Sequence, residues 1–566
     1  MTAPALPLLD AAGARAADAA AIAAGDGADV LMARAAGHLA RTVVATAGRA
    51  YGLRVALVVG RGDNGGDGWA AAPLLAARGA HVTVVAPDGV DTTGSPAATA
   101  ARARWLAAAG TVRTGPAGPH LVDGDGRSRV DVAVDCLLGT GAAGPLRGST
   151  VEAAAALAAA RAGGATVVAC DLPSGVDADT GAAADGAVVA DVTVTFGALK
   201  RGLLLAPGVA HTGSVHVAGL GVRFAAAAGE LAGGGAGWSA LTAAGARPDV
   251  PDPLTEKRRR GVVLVVAGST GSAGAAVLAG RGALAAGAGL VTVAVPDPVR
   301  AEVAAAHPAL MTVGLPADVD GALHPDAVHA LPLDGVDAVV AGPGLGHGAG
   351  TAAVVTHLRR TCRRLVLDAD ALNVHRDDPA ALADHPDDAT LVLTPHAREL
   401  DRLGGDGTYA DRSTQVPALA ARLRAHVVAK GPGTLVAAPD GPVHVTPFAE
   451  AALATAGSGD LLAGMLGATL AGRPAAVTTA LARTVWWHAA AGRAAGARGA
   501  GRGDVTDVLA ALPGVLAGLA GATAPPHGTS AGPSARVALA PLLAVDAPTG
   551  PPTGPPTEPL RKEGRR

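Results

Sequence analysis

The chain has 566 residues, too many for one ordinary core, so two large domains are expected. A formal charge of −3 and a pI near 6.6 argue against a basic face and against nucleic acid as a partner. The mean hydropathy of +0.34 comes largely from alanine and valine rather than from long apolar spans, and with aromatics at 2% the cores must be aliphatic.

No charged-then-apolar leader opens the chain, which points to a cytoplasmic protein. The first predicted strand, Arg54–Val59, runs into the glycine-rich turn GRGDNGGDG (60–68), and the second, His81–Ala86, is followed by Asp88. Gly60, Gly62 and Gly65 satisfy the G-x-G-x-x-G of a dinucleotide-binding turn, with Asp88 where a ribose-binding acid falls. Asp63 and Asp67 argue against an ordinary dehydrogenase. A carboxylate about 4 Å from a phosphate charge costs about 4 kcal/mol at an effective dielectric of about 20. Unless a cation intervenes, the loop suits a cation, a ribose or proton transfer; the alternative is an Asx-rich turn that only caps the next helix.

Strands are next expected at Val130–Leu138, Ala165–Cys170 and Ala190–Phe196. The loops after the first two, DCLLGTGAAGP (135–145) and DLPSGVDADTG (171–181), each carry an acid, as the glycine turn does. In a doubly wound sheet such loops converge outside the carboxyl ends of the strands, where ligands bind. Cys136 and Cys170 neighbour Asp135 and Asp171, but strand neighbours point to opposite faces, so core packing is the better reading. With Cys362 they form no metal spacing and no disulfide framework, which suits a reducing compartment.

Residues 223–258 are rich in Gly, Pro and Ala and read as a linker. Beyond it, strands are expected at Val262–Ala267, Leu290–Val295, Ala338–Ala341, Arg364–Leu367, Thr390–Leu393 and His426–Ala429. Apolar strands alternating with helical stretches indicate parallel sheets covered on both faces. The stretch LATAGSGDLLAGMLGATLAG (453–472) leads small residues into a helix starting near Gly459, with Asp460 in its first turn. Free N–H groups there form an anion hole, and Asp460 can take a proton from an attacking hydroxyl; the alternative is an acid that merely complements the helix dipole. No G-x-x-x-x-G-K-[ST] occurs, which excludes a P-loop ATPase. VLAALPGVLAGLAGATA, from Val508, is broken by Pro513 and reads as a packed terminal helix rather than a membrane span. After residue 522 the chain is Pro/Thr/Gly-rich and is expected to be disordered.

Two family resemblances emerge. The glycine turn, D-x-x-x-G-T-G, D-x-P-S-G-x-D, TFGALKRGLLLAPG (195–208) and a helix containing LMARAAG (31–37) resemble the NAD(P)H-hydrate epimerase domain. The resemblance implies that Asn64, Asp135 and Ser174 ligate potassium. It implies that Asp63, Asn64, Gly65, Gly66, Asp67, Gly139, Thr140, Gly141, Ala142, Ala143, Gly144, Pro145 and Asp171 contact the hydrated dinucleotide, with Asp171 transferring the proton. Asp63 replaces the family's first asparagine and Ala33 its glutamate.

LVVAGSTGSAGA (264–275), GPGLG (342–346), LDADALN (367–373), LTPHAREL (393–400), VVAKGPGTLVAAPDG (427–441) and the 453–472 motif resemble the ribokinase-like superfamily. Within it they are similar to the ADP-dependent NAD(P)H-hydrate dehydratases. That implies an adenine-nucleotide site at Lys430, Gly431, Pro432, Gly433, Thr434 and Gly459. It implies hydrate contacts at Gly346, His396, Asp460 and Ala283, with Asp460 as base and magnesium accompanying ADP. Ser272 replaces the family's tyrosine, Arg398 its glycine, and EKRRRG (256–261) its H-K-G. By themselves, His396 also fits a structural strand-end histidine and Lys430 a solvated charge.

The combined expectation is two three-layer α/β/α domains: Rossmann-like over 1–222 and ribokinase-like over 259–522, joined by the linker at 223–258 and followed by a tail at 523–566. The implied function is metabolite repair. R and S hydrates of NADH and NADPH are epimerised, and the S epimer is dehydrated while ADP goes to AMP and phosphate. Expected partners are these small molecules, with no nucleic acid, no membrane and a homo-oligomeric state. The alternative is an ATP-dependent vitamin-precursor kinase fused to a Rossmann-like scaffold.

Overall fold

The structure, a computed structural model, describes residues 4–91, 94–221, 237–404 and 412–521, and the backbone of 543–545. In chain order the strands of the first half are β1 (Ala5–Leu9), β2 (Arg54–Val59), β3 (His81–Ala86), β4 (Thr111–Thr114), β5 (Val132–Cys136), β6 (Thr166–Cys170), β7 (Val192–Phe196), β8 (Leu199–Lys200) and β9 (Ser214–Ala218). Then come β10 (Trp238–Leu241), β11 (Val262–Val266), β12 (Leu290–Pro296), β13 (Met311–Leu315), β14 (Ala338–Ala341), β15 (Arg364–Leu367), β16 (Thr390–Leu393), β17 (His426–Ala429), β18 (Leu435–Ala437), β19 (Val443–Val445) and β20 (Leu543–Val545).

The first sheet runs β20-β9-β7-β6-β5-β2-β3-β4, all parallel. Strand order reverses between β2 and β5, which opens a crevice at their carboxyl ends. Helices α1 (Ala11–Ala23), α2 (Ala28–Ala47) and α3 (Asp63–Ala76) cover one face, and the helix Ser149–Ala162 the other, so apolar cores lie on both sides. Val55, Leu57, Val59 and Cys136 face the first core and Ala56, Val58 and Ala133 the second, as a strand's two-residue period requires.

The second sheet runs β13-β12-β11-β14-β15-β16-β17-β18-β19-β10-β1-β8. From β13 to β17 it is parallel, and β18 then pairs antiparallel with both β17 and β19. The helices Ala273–Ala285, Ser458–Ala471, Val477–Arg498 and Val505–Ala520 lie on one face, and Ala349–Thr361 and Arg412–Leu423 on the other. Both domains are three-layer α/β/α, as expected.

The expected strands are found, several of them one or two residues shorter, but the boundary between the domains needs correction. Residues 223–258 are not simply a linker. Within them β10 pairs parallel with β19 and antiparallel with β1, and β1 pairs parallel with β8. The chain's first strand therefore belongs to the second domain's sheet, and so does Lys200 from the first domain. Leu199, Leu203, Leu204 and Leu205 share a core with Leu435 and Val445, which makes the junction an apolar continuation of the second domain. Residues 222–236 lie outside the described ones. Most of the expected disordered tail does too, but Leu543–Val545 form β20 beside β9. Val505–Ala520 packs through Val508, Leu512 and Val515 into the core, and no described helix is long and apolar enough to cross a membrane.

Candidate functional site

The three acid-bearing loops of the first domain do converge. Residues 60–64, Asp67, 137–142 and Asp171 line one cavity of about 740 Å³, together with faces of α1 and α2, whereas Gly65 and Gly66 are buried behind it. The glycines after β2 are required by close packing: a Cβ on Gly60 would stand 2.0 Å from the Leu137 carbonyl oxygen, and one on Gly65 2.0 Å from that of Gly60. Asp63 begins α3, and its Oδ1 accepts from the Ser95 N–H at 2.7 Å, so this acid turns toward the β3 side. Asp88 also lines the cavity and accepts from the Ser149 hydroxyl.

Asp171 follows β6 with a positive φ of 65°, a conformation that costs a non-glycine residue about 1–3 kcal/mol and marks functional strain. Its Oδ1 accepts from Lys200 Nζ at 2.5 Å, Thr195 Oγ1 at 3.2 Å and Phe196 N at 3.1 Å, and its Oδ2 accepts from Thr140 Oγ1 at 2.5 Å. Burial acts to raise its pKa, but the Lys200 charge and hydrogen bond, with those of Thr140 and Phe196, outweigh it. The carboxyl sits below its ordinary range. Lys200 was quoted in the 195–208 motif but given no role; only the sheet topology brings it to Asp171. Asp67 is the reverse case: burial, then Asp171, Asp63 and Asp18, push its pKa well up, with Lys200 opposing.

Asn64, Asp135 and Ser174 form one connected group. The Ser174 hydroxyl and N–H each donate to Asp135 at 2.7 Å, Leu138 N donates to Ser174 Oγ, and Asn64 Nδ2 donates to the Leu138 oxygen at 2.9 Å. Asn64 Oδ1 is buried without a hydrogen-bond partner, and Asp135 is fully buried with neutral partners, its pKa raised to about 6 by burial. An orphaned carbonyl oxygen beside a buried acid and a hydroxyl is a donor set that fits a hard cation. Gly139, Thr140, Gly141 and Ala142 line the cavity, whereas Ala143, Gly144 and Pro145 are not among its lining residues. Cys136 and Cys170 are fully buried in the first core, and burial pushes both thiols up.

In the second domain, Lys430 is the hub. It sits just past β17, its side chain only 17% exposed, and its Nζ donates to Asp368 Oδ1 at 2.6 Å and lies 4.0 Å from Glu399 Oε2. A solvated strand-end charge is therefore excluded. A Cβ on Gly459 would stand 3.2 Å from the same Nζ, so the 430–434 loop meets the amino end of helix Ser458–Ala471. Ser458 N donates to Thr455 O and Leu461 N to Gly457 O, whereas the Gly459 and Asp460 N–H groups find no backbone acceptor among the described residues and stand free for an anion. Ser458 Oγ lies 3.2 Å from Nε2 of the buried His488. Asp460 is pushed up to about 6, first by burial and then by Asp368, with Lys430 opposing.

His396 serves both readings of it. Its Nδ1 caps the helix Ala397–Arg402 by accepting from the Arg398 and Glu399 N–H groups, while Nε2 lies 3.4 Å from Glu399 Oε1. Burial and then Lys430 lower its pKa, so the ring is neutral. Gly346 N donates to Asp370 Oδ2, and His347 Nε2 lies 2.9 Å from Asp370 Oδ1. Asp368, Asp370 and Glu399 lie inside quoted motifs, but the motifs alone gave no roles. Asp368 Oδ2 is buried without a partner, and Glu399 is pushed up to about 7, mainly by burial. The Ala283 side chain is fully buried within Ala273–Ala285, against Ser458–Ala471. Ser272 sits beside Gly344, whose Cβ would be 2.9 Å away.

Residues 28–202 match the family described as YjeF-related protein N-terminus, and residues 263–513 the family NAD(P)H-hydrate dehydratase. The bifunctional NAD(P)H-hydrate repair enzyme Nnr of Mycobacterium tuberculosis is 37% identical over 452 residues, 78% of this chain and 84% of that one. Its counterpart from Moorella thermoacetica is 36% identical over 478 residues, 82% and 88% of the two chains. A solved ADP/ATP-dependent NAD(P)H-hydrate dehydratase from Bacillus subtilis, co-crystallised with ATP/Mg2+, is 26% identical. It covers 48% of this chain and 95% of its own, with a TM-score of 0.42.

Proposed function

The chain belongs to the bifunctional NAD(P)H-hydrate repair enzymes, and from that premise we propose how its two sites divide the repair. The first domain interconverts the R and S hydrates of NADH and NADPH; the second dehydrates the S epimer and regenerates the dihydronicotinamide. The observation that carries the assignment of the first site is the Asp171–Lys200 pair on the wall of the cavity. Inverting a hydroxyl beside a ring nitrogen requires C–O cleavage and re-addition of water, hence one group that gives a proton and one that takes it. Lys200 supplies the proton, and Asp171 orients the ammonium and the hydroxyl.

Asn64, Asp135 and Ser174 would hold potassium, an assignment supported by the orphaned Asn64 oxygen. Bound there, the cation would offset Asp135 and attract the phosphate oxygens that the acid-rich loop repels. Asp63, Asn64, Gly65, Gly66, Asp67 and the 139–145 loop contact the dinucleotide.

In the second domain, Lys430, Gly431, Pro432, Gly433 and Thr434, with Gly459, take the adenine nucleotide, and Gly346, His396 and Asp460 take the hydrate. Asp460 removes the hydroxyl proton as the phosphoryl group arrives at the free N–H groups of its helix. Phosphate then leaves far more readily than hydroxide. We assign ADP, going to AMP and phosphate, as the donor. Asp368 and Glu399 would hold magnesium, whose charge would neutralise phosphate oxygens; the unpartnered Asp368 Oδ2 supports this. The same reading places the protein in the cytoplasm as a homo-oligomer. The test is to incubate the full chain with an epimer mixture of hydrated NADH plus ADP, or plus ATP, and follow dihydronicotinamide absorbance. Recovery with neither nucleotide would sink the dehydratase assignment, and recovery that stalls once one epimer is consumed would sink the epimerase.

A further inference from the structure

The epimerase cavity has two kinds of wall. One is made of the strand-end loops that carry Asn64, Thr140 and Asp171, with Lys200; the other is helical. On α1, Ala14, Arg15, Asp18 and Ile22 line the cavity at a spacing of three and four residues, so one face of the helix looks into it. Of the other acids near that face, Asp10 caps α1, Asp63 accepts from Ser95 N, Asp88 from Ser149, and Asp171 from Lys200, while Asp67 lies across the cavity on α3. Asp18 has no hydrogen bond or ion pair among the described residues.

The chemistry needs such a group. The Asp171–Lys200 pair stands on one wall, yet the hydroxyl must leave one face of the ring and water must return to the other. A single site of proton transfer serves only one face. We propose that Asp18 is the second proton-transfer group of the epimerase, serving the ring face turned toward α1 while Lys200 and Asp171 serve the other. This rests on the epimerase reading of the first domain.

In one direction the Lys200 ammonium protonates the hydroxyl, the C–O electrons leave with the departing water, and the ring-nitrogen lone pair forms a C=N bond. Water then adds to the same carbon from the α1 side, the C=N electrons return to nitrogen, and Asp18 takes the proton. The reverse direction exchanges the roles. No oxidant or reductant is needed: Asp18, on the solvent-exposed side of α1, releases its proton to water, and Lys200, which lines the same cavity, regains one from water there, so the net proton change is zero. The cavity walls push the Asp18 pKa up to about 6, with Lys200 opposing and Asp171 and Asp63 adding, which suits a group that both gives and takes a proton near neutrality. Asp67 does not fit the role: it lies one turn beyond Asn64 on α3, on the same side as the strand-end loops, and so cannot serve the ring face turned toward α1. The charged groups facing Asp18 are Lys200 of β8, Asp171 after β6, and Asp63 and Asp67 of α3, with Arg15 beside it.

The experiment takes one purified epimer, the full chain and no nucleotide, in 18O-labelled water across pH 5–8, and follows both epimers and label uptake by chromatography and mass spectrometry. Asp18→Asn should slow interconversion and label uptake together by about 100-fold and erase the loss of rate below about pH 6. Its thermal midpoint and its ADP-dependent turnover of the S epimer should stay at wild-type values, and Asp18→Glu should recover part of the rate. Interconversion by Asp18→Asn within threefold of wild type would overturn the proposal. So would a loss confined to KM, or an acid limb that disappears in Asp67→Asn but persists in Asp18→Asn. A wild-type chain that does not interconvert the epimers would sink the epimerase reading itself.

Discussion

Lys200 Nζ lies 2.5 Å from Asp171 Oδ1, and the two side chains are only 4% and 11% exposed. Buried pairs of this kind are costly to break on one side, because the remaining charge keeps its desolvation penalty and loses its partner. Against its burial, Lys200 is the largest influence that holds Asp171 ionised.

Lys200→Met should reduce epimerisation by at least about 100-fold and destabilise the chain by about 3 kcal/mol. ADP-dependent turnover of the S epimer, measured below the new melting transition, should persist. The sign of the pH dependence follows from Asp171, whose folded-state pKa is depressed. Its contribution to stability is present above the unfolded-state value and is lost as pH falls through the folded one, so wild type should lose its margin over Lys200→Met on acidification. Melting temperatures of the two proteins across acid pH check this.

Asp460 titrates near 6, and it acts as a base only when ionised. The dehydration rate at saturating ADP should therefore fall about tenfold per pH unit below about 6 and level off above. Asp460→Asn should abolish recovery of dihydronicotinamide at every pH while leaving epimer interconversion intact. A stopped assay at fixed ionic strength over pH 5–8 distinguishes a lost base from a lost fold. A plateau extending down to pH 5 in wild type would remove Asp460 from the role.

Much of the architecture was legible because a strand buried on both faces needs an apolar run, and the runs at Arg54–Val59, His81–Ala86 and Thr390–Leu393 coincide with the strands found. β8 has two residues and β18 three, too few to show any periodicity, and β1 and β10 are strands through their pairing with each other and with β8 and β19. The site was legible where a motif fixes backbone, as at Gly60, Gly65 and Gly459. It was not legible where topology supplies the partner: nothing near Lys200 in the chain points to Asp171, and Asp18 sits in an alanine-rich helix with no motif around it.

The buried, unpartnered Asn64 Oδ1 beside Asp135 makes a cation prediction that can be read without activity. A cation bound at 100 times its dissociation constant stabilises the folded state by about 2.7 kcal/mol. Replacing tetramethylammonium chloride by potassium chloride at equal ionic strength should raise the melting temperature of wild type by several degrees. Asp135→Asn, which keeps the shape but not the charge, should lose most of that increment. Equal melting temperatures of wild type in the two salts would rule out the site.

Gly433 joins the two activities. It sits in the nucleotide loop with a φ of +64°, and a Cβ there would fall 1.9 Å from the Leu204 carbonyl oxygen of the first domain. Leu204 follows Lys200 and the single turn Arg201–Leu203, so the segment that bears the epimerase cation is braced against the segment that would hold ADP. Gly433→Ala pays twice, for the left-handed backbone and for the clash, and neither neighbour is the free end of a flexible side chain. We expect a loss of about 1–3 kcal/mol in stability. A rise in KM for ADP of at least tenfold should accompany it, together with a slower epimerisation measured without nucleotide. A control at Gly441, a half-buried bend position whose nearest contact would be 3.4 Å away, should leave all three unchanged when made Ala. If Gly433→Ala weakens ADP but leaves epimerisation untouched, the two loops touch without mechanical consequence. If both fall together, the pairing of β1 with β8 and β10 makes the two domains one framework rather than two enzymes on a string.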